Sequence, residues 1–178
     1  GLTTLQINKL GATQIAGLTA AQLNNLSSAQ IEKFATAGLN QLSTTQIASL
    51  NAAALTKVST DQIRAIGTAV LQGLSANQIK ALTTSQINNL TSSQVYNLTN
   101  GQISSLTSSQ IANLKTENFA YISTAQAGWN SNQIKALAPT QVGSFTTTQI
   151  QSLGSDQLRA LTGDQIKALT TSQVAALS

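Results

Sequence analysis

Leu82-Thr83-Thr84-Ser85-Gln86-Ile87-Asn88-Asn89 decides how this chain folds, because the phrase it spells is written about twenty-two times in succession. The next eight residues open with Leu90-Thr91-Ser92-Ser93-Gln94-Val95, and Leu169-Thr170-Thr171-Ser172-Gln173-Val174 repeats the pattern near the other end. A short fixed period over a whole chain predicts a solenoid, in which each unit is stable only against its neighbours. Counted from its leading apolar residue, the octad runs from Leu2, Leu10, Leu18, Leu26, Phe34 and Leu42 onward to Leu114. A seven-residue unit, Ile122 to Gly128, breaks step. Octads resume at Trp129 and continue through Leu137, Phe145, Leu153, Leu161 and Leu169. The first position is always large and apolar, and the sixth is Ile, Leu, Val or Phe everywhere except Ala127.

These two positions cannot share one face of a continuous helix. At about 100° per residue, eight residues advance the apolar stripe by about 80° in each repeat, so it would wind around the helix. A flat strand fails too, since a separation of five puts the two positions on opposite faces. The chain therefore turns within every octad. Position two is Ser, Thr, Asn or Gly in all but Ala35, Lys115 and Ala138, and position five is nearly always Gln. Ser/Thr-x-x-Gln is a capping box, in which the hydroxyl accepts from the N3 backbone N–H and the Gln reaches back to the cap. The apolar first and sixth positions are then the N′ and N4 partners of a hydrophobic staple. The only proline, Pro139, falls at N1, where a missing N–H costs nothing. Position eight holds Gly17, Gly73 and Gly128, and Asn25, Asn89, Asn97 and Asn113. Those residues predict a left-handed C′ ending, with the next Leu at C″ of a Schellman cap.

Each octad thus reads as a helix of little more than one turn, which is marginal alone and survives by burying positions one and six against its neighbours. A slower rhythm marks the first half. Position six is Leu at Leu23, Leu39, Leu55 and Leu71, but Ile at Ile15, Ile31, Ile47, Ile63 and Ile79. The Leu octads carry Ala21, Ala37, Ala53 and Ala69 at position four, and three lose the Gln, to Gly38, Ala54 and Val70. This sixteen-residue alternation predicts one more buried helix followed by one more exposed, hence two helices per superhelical turn; duplication of a two-octad unit accounts for it equally. The expected fold class is an all-α solenoid of very short capped helices, a rod roughly 90–110 Å long if pairs stack at helix-packing distance. The array is read as continuous over residues 1–178, with an irregular repeat, a kink or local repacking, at 115–128. A β-solenoid is the alternative, because Thr, Ile and Val favour strands.

Charged residues make up only 8% of the 178 residues, while the hydrophobic fraction of 41% argues against simple disorder. Net charge is +4, with nine Lys and Arg scattered along the chain and no contiguous basic tract of the kind a nucleic-acid binder shows. Asp61/Arg64, Asp156/Arg159 and Asp164/Lys167 have the i,i+3 spacing at which helical charges meet. Cys, His and Met are absent, which removes disulfides and the usual zinc ligands. No apolar run approaches a membrane span, and no signal-peptide pattern opens the chain. Without a Met, Gly1 is read as the start of a processed or excised segment, and the chain begins and ends within the pattern, at Gly1-Leu2 and Leu177-Ser178.

Catalytic, cofactor-binding and metal-binding residues are all expected to be none. Glu32, Asp61, Glu117, Asp156 and Asp164 lie in different octads, and the usual bases and nucleophile activators are missing. Trp129 and Phe145 occupy position one and are expected in the core, whereas Tyr96, at position seven, is the better exposed aromatic. Thr and Ser at positions two and three form regular rows that could bind glycan, a surface or ice, although capping already accounts for position two.

Through Leu106-Thr107-Ser108-Ser109-Gln110-Ile111 and Leu161-Thr162-Gly163-Asp164-Gln165-Ile166, the chain resembles the Thr/Ser-x-x-Gln-Ile/Val repeat tracts of large bacterial secreted and surface proteins, adhesin-like or filament-forming. The resemblance implies an extracellular stalk, spacer or filament body with no catalytic residues. The basic balance departs from the acidic, calcium-binding tracts common in such proteins. The expected partners are a further stretch of the same array or a second copy, end to end, with a glycan or surface ligand as the alternative. Neither nucleic acid nor membrane insertion is expected.

Overall fold

A computed structural model describes residues 2–124 and 128–177. Every regular element among them is a helix and none is a strand, so the capped-helix reading holds and the β-solenoid alternative does not. The reason is local. In a typical octad the Thr83 hydroxyl accepts from the Gln86 backbone N–H at 3.1 Å, and the Gln86 Oε1 accepts from the Thr83 N–H at 2.8 Å. The position-six N–H then reaches the carbonyl of position two, as Ile87 does to Thr83 at 3.0 Å. Ser, Thr and Gln side chains thus commit the backbone to a helix start that β-branched propensity alone would not choose. Pro139 opens its helix at N1 as expected, and its N-cap Ala138 supplies only the N–H half of the box, to Gln141 at 2.7 Å.

The helix endings differ from the expectation. None of the described residues has a positive φ, glycines included. Gly17 (φ −79°, ψ −5°) and Asn89 (φ −91°, ψ 1°) stay right-handed. Two extended residues follow at positions one and two, as in Leu82 (φ −57°, ψ 141°) and Thr83 (φ −69°, ψ 157°). Asparagine serves position eight through its side chain: the amides of Asn25, Asn89 and Asn113 donate to the carbonyls of Ala21, Ser85 and Ser109 at 2.8–2.9 Å. A left-handed residue would fold the chain sharply back, whereas a right-handed exit into two extended residues opens the corner.

The wider corner sets the number of helices per turn. The chain packs as two compact units, Gly1–Leu90 and Thr91–Ser178. In the first, α1 (Thr4–Lys9), α4 (Ser28–Glu32), α7 (Ala52–Leu55) and α10 (Ala76–Ala81) stack successively into one side. On a second side α2 (Ala12–Ala16) packs on α5 (Thr36–Leu39) and α8 (Thr60–Ala65) on α11 (Thr84–Asn88), with Asn40 after α5 bonded to the Ala65 carbonyl of α8, and a third holds α3 (Ala20–Asn24), α6 (Thr44–Ser49) and α9 (Thr68–Gln72). In the second unit, α12 (Ser92–Tyr96), a 3₁₀ turn (Thr116–Tyr121), α16 (Pro139–Gly143) and α19 (Gly163–Lys167) form one side. There α14 (Ser108–Ala112), α15 (Ser131–Ala136) and α18 (Ser155–Ala160) form another, and α17 (Thr147–Gln151) packs on α20 (Thr171–Ala175). Within each unit the packed pairs join elements three octads apart, so a turn holds three octads where two were expected. The length worked out from pairs loses its premise accordingly.

The sixteen-residue alternation does not set burial either. Leu23, Leu39, Leu55 and Leu71 are as buried as Ile15, Ile31, Ile47, Ile63 and Ile79, and Ala21, Ala37, Ala53 and Ala69 are all exposed. With three sides to a turn, alternate octads do not recur on one side, so a two-octad rhythm has no side to mark. Positions one and six point inward together and form the core. Within the last turn, Ile166 and Val174 are 52% and 53% exposed while Ile150, one turn earlier, is 1% exposed. Position six is therefore covered by the turn that follows it.

Local repacking is present where the period falters. Lys115 makes no side-chain cap bond, Thr116–Tyr121 tightens to a 3₁₀ turn, and buried Asn118 stands where other octads have Gln. Phe119, Trp129 and Phe145 fill the space, with ring centroids 5.3–5.9 Å apart. Ala127, the exception at position six, and the terminal Gly1 and Ser178 lie outside the described residues.

The right-handed exit makes two glycines of position eight differ in a way that thermal or urea unfolding reads directly. A Cβ on Gly17 would meet only ordinary contacts, 3.4 Å from the Gln14 carbonyl oxygen and 3.6 Å from that of Thr13. Gly17→Ala is expected to be neutral or to stabilise by about 0.4–1 kcal/mol through the unfolded chain. On Gly73 a Cβ would lie 2.5 Å from Ile47 Cγ2 and 2.9 Å from Thr44 Cα. Gly73→Ala is expected to cost about 1–3 kcal/mol as an overpacked contact between turns. Equal large losses at both sites would restore the left-handed ending.

Candidate functional site

Short helices leave most of their backbone groups without intrahelical partners, and the most developed feature of this molecule answers that shortage. The position-five Gln uses both ends of its amide. In α10, Gln78 Oε1 accepts from the Ser75 N–H at 2.8 Å, while Nε2 donates to the carbonyls of Ile47 and Leu50, both at 2.8 Å. Gln86 does the same to Leu55 (2.8 Å) and Val58 (2.7 Å), and Gln165 to Ile134 (2.8 Å) and Leu137 (2.7 Å). Gln133, Gln141, Gln149 and Gln173 likewise reach carbonyls at the end of one helix and in the extended link after it, one turn below. These glutamines are buried. The sequence reading found the cap half of this role and missed the bridge. One signal was available: a capping box accepts Glu as readily as Gln, yet no octad has Glu at position five. Only Gln has the N–H donors that the carbonyls below need.

In the octad where Val70 stands in place of the Gln, another side chain takes over. Val70 leaves the N-cap Gly67 without its amide acceptor, and Asn40 Oδ1 accepts from Gly67 N–H at 2.7 Å while its Nδ2 donates to the Ala65 carbonyl at 2.9 Å. Asn118 Oδ1 accepts from the Ser92 hydroxyl at 3.1 Å.

The surface features expected from sequence fall out as follows. Tyr96 is exposed, and so is Tyr121; Trp129 and Phe145 are buried in the aromatic cluster. The Trp129 indole N–H is buried without a partner among the described residues. Position-two hydroxyls are engaged in caps, and position-eight asparagines bond helix-end carbonyls. The Asp156/Arg159 and Asp164/Lys167 pairs form at 3.4 Å, with Glu32–Lys33 at 3.3 Å. All three are solvent-exposed, a setting in which ion pairs contribute little. An open groove of about 610 Å³ in the first unit is lined by alanines and by Asn24, Asn51, Asn77 and Gln78, with no ionisable side chain. Among the described residues, no three acids come together as a metal site would require, and no helix is long and apolar enough to cross a membrane.

The two halves of the glutamine role separate by mutation. Gln14 is exposed and accepts from the Gly11 N–H, a bond that Glu reproduces, so Gln14→Glu is expected to change stability by no more than about 0.5 kcal/mol. Gln78→Glu places a carboxylate against two carbonyls in a buried site and is expected to cost about 2–4 kcal/mol at pH 7. Burial beside carbonyls raises the folded-state pKa of the new carboxyl. The unfolded state then releases its proton first, and stability falls as pH rises from about 4.3, the ordinary Glu value. Urea titrations at pH 4 and pH 7 check this; a pH-independent loss would remove the bridge as the reason for Gln.

Phrases such as Ala81-Leu82-Thr83-Thr84-Ser85-Gln86 and Ala168-Leu169-Thr170-Thr171-Ser172-Gln173 are the sequence form of this ladder. A comparison with curated proteins finds no match. A family model described as the ALTTAQ repeat matches residues 53–92, 127–162 and 147–178, together just over half of the chain. The bridged, three-sided octad array is thus the fold of a member of the ALTTAQ repeat family, to which this chain belongs.

Proposed function

We propose that the chain is a non-catalytic structural stretch, a spacer or filament body that works on a bacterial surface. The observation that supports this most is the ladder itself. Each turn covers the position-six side chains of the turn before it and hydrogen-bonds that turn's free carbonyls. Such a unit extends by addition without new chemistry, which is what a spacer of adjustable length needs. The same geometry supports a partner made of the same material, further octads or a second copy laid end to end. A surface location agrees with the low charge and the resemblance to surface repeat tracts.

Antibody raised against the folded repeats is expected to label intact bacteria producing the protein, and protease added outside is expected to remove the label. Label that appears only after permeabilisation would overturn the surface reading. Electron microscopy of the purified chain at rising concentration is expected to show particles lengthening by end-to-end addition; particles of constant length would count against assembly of second copies. Removing residues 26–49, one whole turn, is expected to leave the remaining helicity and cooperative unfolding intact. Wholesale unfolding of that variant would contradict the additive design.

A further inference from the structure

The cations of the first unit are Lys9, Lys33, Lys57, Arg64 and Lys80, and along the sequence they look scattered. Three octads to a turn brings four of them to one side. Lys9 ends α1, Lys33 is the C-cap of α4, Lys57 lies two residues past α7, and Lys80 sits in the last turn of α10. α1 packs on α4, α4 on α7 and α7 on α10, so the four residues mark the same edge of successive rungs. All four are exposed. Glu32, ion-paired to Lys33, is the acid among them at this edge. The equivalent positions on the other two sides are neutral, apart from Arg64, which follows Asp61 by three residues. Helix C-termini attract cations through their dipoles, but all three sides end helices in the same way and one alone carries the lysines.

Stacked helices lie about 8–10 Å apart. Neighbouring ammonium groups are then within about one Debye length at 0.1 M salt, so their fields overlap along the row. We propose that this edge binds a linear polyanion, an acidic polysaccharide carrying carboxylates along its length. A single row of one charge per rung suits an extended polymer lying along the stack. It is sparse beside duplex DNA, with one charge per about 1.7 Å of axis. Single-stranded nucleic acid needs aromatic platforms for its bases, and the sole aromatic residue of this unit, Phe34, is buried. This binding edge goes beyond the spacer role, and neither depends on the other.

The test uses the whole chain and two variants that remove the same charge. One is K9Q/K33Q/K57Q/K80Q, and the other, with cations of the second unit removed, is K115Q/K135Q/R159Q/K167Q. Binding is measured to polygalacturonate, to dextran as a neutral polymer, and to an oligo-dT strand, with helicity checked by circular dichroism. The wild-type chain and the second-unit variant are expected to bind polygalacturonate and not dextran, with affinity falling as salt rises. The edge variant is expected to bind about tenfold or more weakly, since screened charges that act together are lost together. If it loses helicity, the pair K33Q/K57Q replaces it, with a smaller loss expected in the same direction. Absence of wild-type binding, or equal losses in the two charge-matched variants, would overturn the proposal. Tighter, edge-dependent binding of oligo-dT would overturn it in favour of a nucleic acid.

Discussion

A five-residue helix is almost all ends, and the whole molecule depends on supplying those ends with hydrogen-bond partners. Its first N–H groups and last carbonyls have nothing within the helix to pair with. Water would satisfy them in an isolated peptide, but these helices also bury their apolar side chains, which draws the ends out of water. Gln78 resolves the conflict for its octad. One amide serves the N–H at the start of its own helix and two carbonyls at the end of a helix in the turn below. The bond that starts a helix and the bonds that join successive turns therefore belong to one side chain. Where a turn lies below, making the cap bond places the amide for the bridge, which ties local structure to stacking.

Turn geometry follows from the way each helix ends. A left-handed residue would return the chain alongside the helix it had just left, giving pairs. A right-handed exit into two extended residues sends it a third of the way around instead, and positions one and six of three octads meet at a shared centre. The amide reach then fixes the rise, because Nε2 must lie within hydrogen-bond distance of carbonyls 27–31 residues earlier in sequence. Phe119, Trp129 and Phe145 fill the same centre with larger rings in the one stretch where the octad loses a residue and the Gln gives way to Asn118.

The helix starts were legible residue by residue, because Thr83, Gln86 and Ile87 interact within one octad and spacing alone reports such contacts. The corner and the turn were not. Gly17 and Asn89 are compatible with both hands of backbone, and the choice is made by what the following Leu must pack against one turn away. A period of eight fixes the unit but says nothing of how many units close a turn, and the sixteen-residue alternation pointed to a number that packing does not use. The surface was legible only by residue type. Tyr96 stands exposed as its off-core position implied, whereas the neighbours of any charged residue could not be named until 24 residues were known to make a turn.

Charge has little part in holding these octads together. Caps, bridges and core are built from hydroxyls, neutral amides and hydrocarbon, and the Glu32–Lys33, Asp156–Arg159 and Asp164–Lys167 pairs are exposed. In a fold whose caps, bridges and core use neutral groups, the placement of charge carries information that it would not carry in an ordinary helical protein. Charges needed only for solubility would serve equally well on any side of the turn. Lys9, Lys33 and Lys57 instead recur at the same position of every third octad, with Lys80 one residue short of it. That spacing equals the turn, a length that no cap or core position in the octad requires. Whatever gives the lysines their recurrence acts on the assembled stack of rungs, since only there do they become neighbours.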